Sequence, residues 1–169
     1  MTAEVTQAQK QWPLWQLMLG CVLLVQCVAA IQGFITADNI PNWHATLVKP
    51  ALNPPNWVFA PVWTILYTVI GLVWAVLIDK VQTHTTGAAK ALFIYNIQLA
   101  ANFVWTFIFF GAHQIGLALI DILALWILIG LSIKVIWPIS KPWALALLPY
   151  WAWVTFASYL NASLWVLNR

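Results

Sequence analysis

Three sets of aromatic and amide side chains in this sequence recur at helical spacing. Trp63 and Tyr67 are four apart, Asn102 and Trp105 are three apart, and Tyr150, Trp153, Ala157, Asn161 and Trp165 step by three or four. Each set falls on one face of a helix. Large rings interrupted by a small residue leave a recess, and facing stripes of this kind line a flat apolar pocket with a few polar tips. Ordinary core packing is the competing reading of the same stripes.

Nothing in the sequence points to a catalytic constellation. His44, His84 and His113 fall in three different loops without metal-ligand spacing, so no metal site is expected. There is no P-loop, dinucleotide fingerprint, nucleophile elbow or carboxylate pair. Asp121 is the one acid well inside an apolar stretch, which makes it a functional candidate by default. The simpler reading is that it caps a loop or bonds a neighbouring helix. Cys21 and Cys27 lie six apart in one helical stretch, too far to form a disulfide with each other.

The elements that must position these side chains are membrane helices. Only 7% of the 169 residues are charged, against about 25% in an ordinary soluble domain. The mean hydropathy is +0.86. So few charges cannot cover a soluble fold of this size, whereas lipid solvates apolar side chains directly. Apolar stretches at about 12–36, 57–78, 89–110, 116–137 and 143–167 are each long enough to cross a bilayer. The fold class expected is an all-α membrane protein, a five-transmembrane-helix bundle forming one domain over 1–169. The first stretch exceeds the core of a signal peptide, so it reads as a span. Its interior polar groups are Gln16, Gln26 and Gln32.

Residues 37–56 form a long first loop with Pro41, Pro50, Pro54 and Pro55. Proline fixes its own φ and disfavours helix in the residue before it, so this loop is stiff. Long ordered loops in small domains are usually lids. Five crossings put Lys10, Lys80, Lys90, Lys134 and Lys141 on one side, with Lys49 and Arg169 on the other. The excess places the N-terminus in the cytoplasm. No run of basic residues offers a nucleic-acid patch. Gly87, Ala88 and Ala91 near the start of the third span provide a weak small-residue signal for a helix–helix contact between copies. Thirteen tryptophans are more than interfacial belts explain, so some must be packing or ligand-facing groups.

The order of motifs resembles the TspO/MBR family, the translocator proteins also called peripheral benzodiazepine receptors or tryptophan-rich sensory proteins. The resemblance rests on Trp43, Lys49-Pro50, Asn53-Pro54-Pro55-x-Trp57 and Pro61-x-Trp63-Thr64-x-x-Tyr67. It continues through Gln98-Leu99-x-x-Asn102-x-x-Trp105-Thr106, Phe109-Phe110-Gly111 and Ala118-Leu119-x-Asp121. It ends on Pro149-Tyr150-x-x-Trp153 and Ala157-x-x-Leu160-Asn161-x-x-x-Trp165.

This resemblance implies a bacterial homodimer with a cavity under the first loop; the helical spans argue for an inner membrane, though members of the family are also reported in outer membranes. It implies that protoporphyrin IX, haem or similar flat lipophilic molecules bind as ligands, with no obligatory cofactor. The ligand-binding positions it implies are Trp43, His44, Pro54, Trp57, Trp63, Tyr67, Asn102, Trp105, Trp153, Ala157 and Asn161. A sensor is the leading reading. The alternatives are a transporter of small lipophilic molecules, or a light-dependent porphyrin-degrading enzyme using Trp63 and Trp153. Three departures stand out. His44 replaces the tyrosine frequent in relatives; over a porphyrin it could ligate haem iron, although a lone loop histidine is more simply solvated. Leu52 replaces a ring in the lid. Ala162-Ser163-Leu164-Trp165-Val166 lacks the Tyr and Arg of the animal cholesterol motif, so no site of that type is expected.

Overall fold

The computed structural model describes residues 11–169, which are helical with no strand. Lys10 lies outside the described residues. Helix α1 covers Leu14–Asn42 and α2 Phe59–Gln82; α3 covers Ala88–Thr106 and continues as a single π-turn through Phe107–Gly111. Helix α4 covers Ile115–Ile136, α5 Lys141–Ala146 and α6 Leu148–Leu167. Helix α1 packs on α2, α2 on α3, α3 on α4, and α4 on α6. Large apolar side chains such as Phe34, Ile65, Phe93 and Ile120 stand exposed on the outside of the bundle. Apolar surface on that scale belongs in lipid.

Four segments are long and apolar enough to cross a membrane: Leu14–Asn42, Asn56–Gln82, Ala88–Gly111 and Ile115–Ile136. The chain is therefore a multi-pass integral membrane protein. Helix α6 is not among the four. Its 20 residues reach about 30 Å, but Pro149, Tyr150 and Asn161 dilute its apolar character. The stretch expected as one fifth helix is divided at Leu147. Pro149 has no N–H for the helix ladder, and its ring crowds the carbonyl four residues back.

The first loop is shorter than expected, because α1 carries through Pro41 to Asn42. Proline in a last turn removes one hydrogen bond only. The Asn39 and Asn42 side-chain amides donate to the carbonyls of Ile35 (2.7 Å) and Asp38 (2.8 Å), and the Thr36 hydroxyl donates to Gln32. Those bonds keep the turn wound. Two single 3-10 turns, His44–Thr46 and Asn56–Val58, structure what remains of the loop.

The lower half of the bundle is filled. Ile70, Val73 and Leu77 of α2 meet Tyr95 of α3, Leu125 and Ile129 of α4, and Tyr150 and Val154 of α6. Gly71 lets α1 lie directly against α2: a Cβ there would stand 2.7 Å from Val22 Cα. Several mid-span indoles serve this packing. Trp74 donates to Asn96 (2.9 Å), Trp126 to Thr155 (2.8 Å) and Trp151 to the Trp126 carbonyl (3.0 Å). The Ala88 and Ala91 stripe, expected to face another copy, is fully buried within the chain and is unavailable for that contact.

Candidate functional site

Above this filled half the helices enclose a cavity of about 600 Å³. Small residues of α1 (Ala29, Ala30, Gly33 and Ala37) leave room on one side. Helix α2 contributes Phe59, Trp63 and Tyr67; α3 and its π-turn contribute Asn102, Trp105, Thr106 and Phe109; α6 contributes Trp153, Ala157 and Asn161. Ile122 and Leu125 of α4 also line it, and His44, Asn53 and Asn56 close the loop end. Among the described residues no Asp, Glu, Lys or Arg lines it.

The rings are held at defined angles. Trp63 lies nearly parallel to Tyr67 (5.1 Å, 27°) and perpendicular to Trp153 (6.5 Å, 88°). Trp105 stacks on Phe109 (5.0 Å, 19°). The two are four residues apart and share a face where α3 runs into the π-turn. Trp105 Nε1 donates to Asn161 Oδ1 (3.0 Å), and Asn161 Nδ2 donates to the Ile115 carbonyl (2.9 Å). One wall is thus tied to the start of α4.

A neutral hydrogen-bond chain crosses beside the cavity. The Tyr67 hydroxyl lies 2.7 Å from Gln32 Oε1 and 3.0 Å from Asn102 Oδ1, with one proton to share between them. Gln32 Nε2 donates to Thr106 (2.9 Å), and Asn102 Nδ2 donates to the Tyr150 hydroxyl (2.9 Å). Tyr150 in turn donates to Gln98 Oε1 (3.2 Å). Two buried polar groups of the lining lack partners among the described residues: Trp153 Nε1, and the ring of His44, whose Nδ1 is fully buried. His44 is only 8% exposed, which corrects the expectation of a solvated loop histidine. It turns inward because the 3-10 turn at the end of α1 folds it beside Phe109 and Phe110. Burial holds its imidazole below the ordinary value of 6.5, and Lys49 adds to that, so the ring is neutral near pH 7.

Of the eleven residues expected here, His44, Trp63, Tyr67, Asn102, Trp105, Trp153, Ala157 and Asn161 line the cavity, and Trp43, Pro54 and Trp57 do not. Trp43 sits behind the lining. It stacks on His113 (4.2 Å, 12°) and meets Phe109 edge-on (5.4 Å). Trp57 is 74% exposed, and Phe59 takes the inward position beside Trp153 instead (5.9 Å). Pro54 is half-buried in the loop, away from the lining. Trp165, at the end of the α6 stripe, lies under the Arg169 guanidinium.

The sequence stripes omitted Gln32, Phe59 and Phe109. Gln32 carried the clearest signal, since an amide inside an apolar span must bond across helices. Asp121 makes no hydrogen bond or ion pair among the described residues, so it is neither a cap nor a bridge, and it does not line the cavity. No group of His, Cys, Asp and Glu among the described residues could hold a metal ion. The loop itself is clasped at its far end. Val48 N–H donates to Asn168 Oδ1 (2.9 Å), and Asn168 Nδ2 donates back to the Val48 carbonyl (3.0 Å).

Comparison with known proteins agrees with this architecture. The family model described as TspO/MBR family matches residues 21–166. The tryptophan-rich protein TspO of Archaeoglobus fulgidus is 38% identical over 151 residues, covering 89% of this chain and 96% of that one. The Chlorobaculum tepidum protein of the same name is 38% identical over 153 residues, covering 88% and 93%. The human translocator protein is 37% identical over 136 residues, covering 78% of each. The family match runs from the second turn of α1 to the last turn of α6, through every helix that encloses the cavity, and the chain accordingly belongs to the TspO/MBR family.

Proposed function

We propose that this membrane protein is a sensor that holds a tetrapyrrole, protoporphyrin IX or haem, or a similar flat lipophilic molecule in the cavity beneath the first loop. The observation that carries this reading is the cavity's combination of size, aromatic walls and a buried, unpaired indole N–H. About 600 Å³ lies within the range of small-molecule sites. The Trp105–Phe109 and Trp63–Tyr67 pairs offer flat faces for stacking. Trp153 Nε1 has no partner among the described residues, so an acceptor on the ligand would complete it.

Helix α6 makes a fifth crossing, the N-terminus is cytoplasmic, and the membrane is the bacterial inner membrane. Lys80, Lys90, Lys134 and Lys141 at one end of the bundle, against Lys49 and Arg169 at the other, support that orientation. A homodimer is included, through a surface other than the buried Ala88 and Ala91 stripe.

A second reading has its own supporting observation. Trp63 and Trp153 stand together at the cavity wall, where an excited porphyrin would find an electron donor within contact distance.

The test is titration of the purified protein with protoporphyrin IX, following tryptophan fluorescence in the wild type and in Trp153→Phe. Saturable quenching at micromolar porphyrin, weakened in the variant, is the expected result. Absence of quenching in the wild type removes the tetrapyrrole reading.

A further inference from the structure

The cavity holds a second unsatisfied group besides Trp153, and its chemistry is different. The indole N–H can only donate, whereas a neutral imidazole presents a lone pair. His44 makes no hydrogen bond through either ring nitrogen among the described residues, is only 8% exposed, and lines the cavity. Its neighbours on the cavity side are the Phe109 and Phe110 rings, at centroid distances of 6.4 and 6.0 Å, and neither supplies a proton to it. Nδ1 is sealed in the protein, so the nitrogen open to the apolar, aromatic-walled space is Nε2, and its partner comes from the ligand. A flat apolar ring offers hydrogen-bond donors at its edge at most. The electrophile it can present from its face is a central metal.

We propose that His44 is an axial ligand for the metal of a metallated tetrapyrrole, so that the cavity discriminates iron-bearing rings from the free base. This rests on the tetrapyrrole reading above and assigns its selectivity to one side chain. The bond is a dative one from a ring nitrogen to the metal, with no electron transfer required. The structure also sets its character. Histidine ligands usually donate their second N–H to a carboxylate or carbonyl, which raises their basicity. His44 has no such support, so it is a weak and displaceable ligand, suited to reversible occupancy rather than to a permanent prosthetic group.

The experiment titrates the purified full chain in parallel with ferric haem and with protoporphyrin IX, recording absorption and electron paramagnetic resonance spectra. The wild type is expected to give a nitrogen-ligated haem spectrum. His44→Gly should lose it, and added imidazole should restore it. His44→Met should shift the spectrum toward thioether ligation. His44→Gly should also weaken haem binding at least tenfold more than it weakens protoporphyrin IX binding, which serves as the folding control. Identical haem spectra in wild type and variants, or equal weakening of both ligands, overturns the assignment while leaving the tetrapyrrole reading intact. Failure of the wild type to bind either ligand overturns both.

Discussion

Tyr67 joins three helices through one hydroxyl, which touches Gln32 of α1 and Asn102 of α3 from its place on α2. Removing that hydroxyl leaves two buried amide oxygens without their donor. Such losses cost about 1–3 kcal/mol in water-soluble proteins and less inside membranes, where unfolded helices also find partners. Tyr67→Phe should therefore lower stability by about 1–2 kcal/mol, read from thermal unfolding in detergent. The indole pair gives a separate prediction. Replacing Trp63 and Trp153 together by Phe should slow light-driven loss of porphyrin at least tenfold per bound molecule; an unchanged rate removes the photochemical reading.

At this scale the sequence was informative wherever helical spacing grouped rings, because Trp63, Tyr67, Asn102, Trp105 and Trp153 share faces by three- and four-residue steps. It was silent about which way loop side chains turn. Trp57 points out and Phe59 points in because of a 3-10 turn that no periodicity announces.

The elements are held by backbone contact at one place and by side-chain clasps at another. Gly71 sets the spacing of α1 and α2, and a methyl group there meets the Val22 backbone rather than a yielding side-chain tip. Gly71→Ala should destabilise the protein by about 1–3 kcal/mol through overpacking. Gly20→Ala, where a Cβ meets nothing within 4 Å, should be neutral or stabilise by up to about 1 kcal/mol. Paired thermal melts of the two variants check the contrast. The Asn168 clasp on Val48 predicts a kinetic effect: Asn168→Ala should speed hydrogen exchange at the Val48 amide and raise ligand association and dissociation rates together.

Hydropathy located the four apolar spans but misplaced some ends. The helix through Pro41 and the break at Leu147 both turn on proline. Around Pro41 the side chains of Thr36, Asn39 and Asn42 bond carbonyls of their own helix, and no side chain among the described residues does the same for α5 ahead of Pro149. Whether a proline ends a helix is decided by those neighbours, which composition does not display.

The whole molecule is a bundle packed solid at one end and hollow at the other, with a clasped loop over the hollow. If α6 crosses the bilayer, reporters fused at the two termini must lie on opposite sides. Accessibility of a cysteine introduced at Arg169 to an impermeant reagent in sealed vesicles checks this, and labelling from the N-terminal side would remove the fifth crossing. The absence of charged side chains from the cavity lining has an electrical consequence. A full charge moved across a membrane is worth about 2.3 kcal/mol per 100 mV, and the described lining contributes none on filling or emptying. Any voltage dependence of occupancy must then come from charge on the ligand itself, and its steepness would act as a ruler for how deep in the field that charge sits.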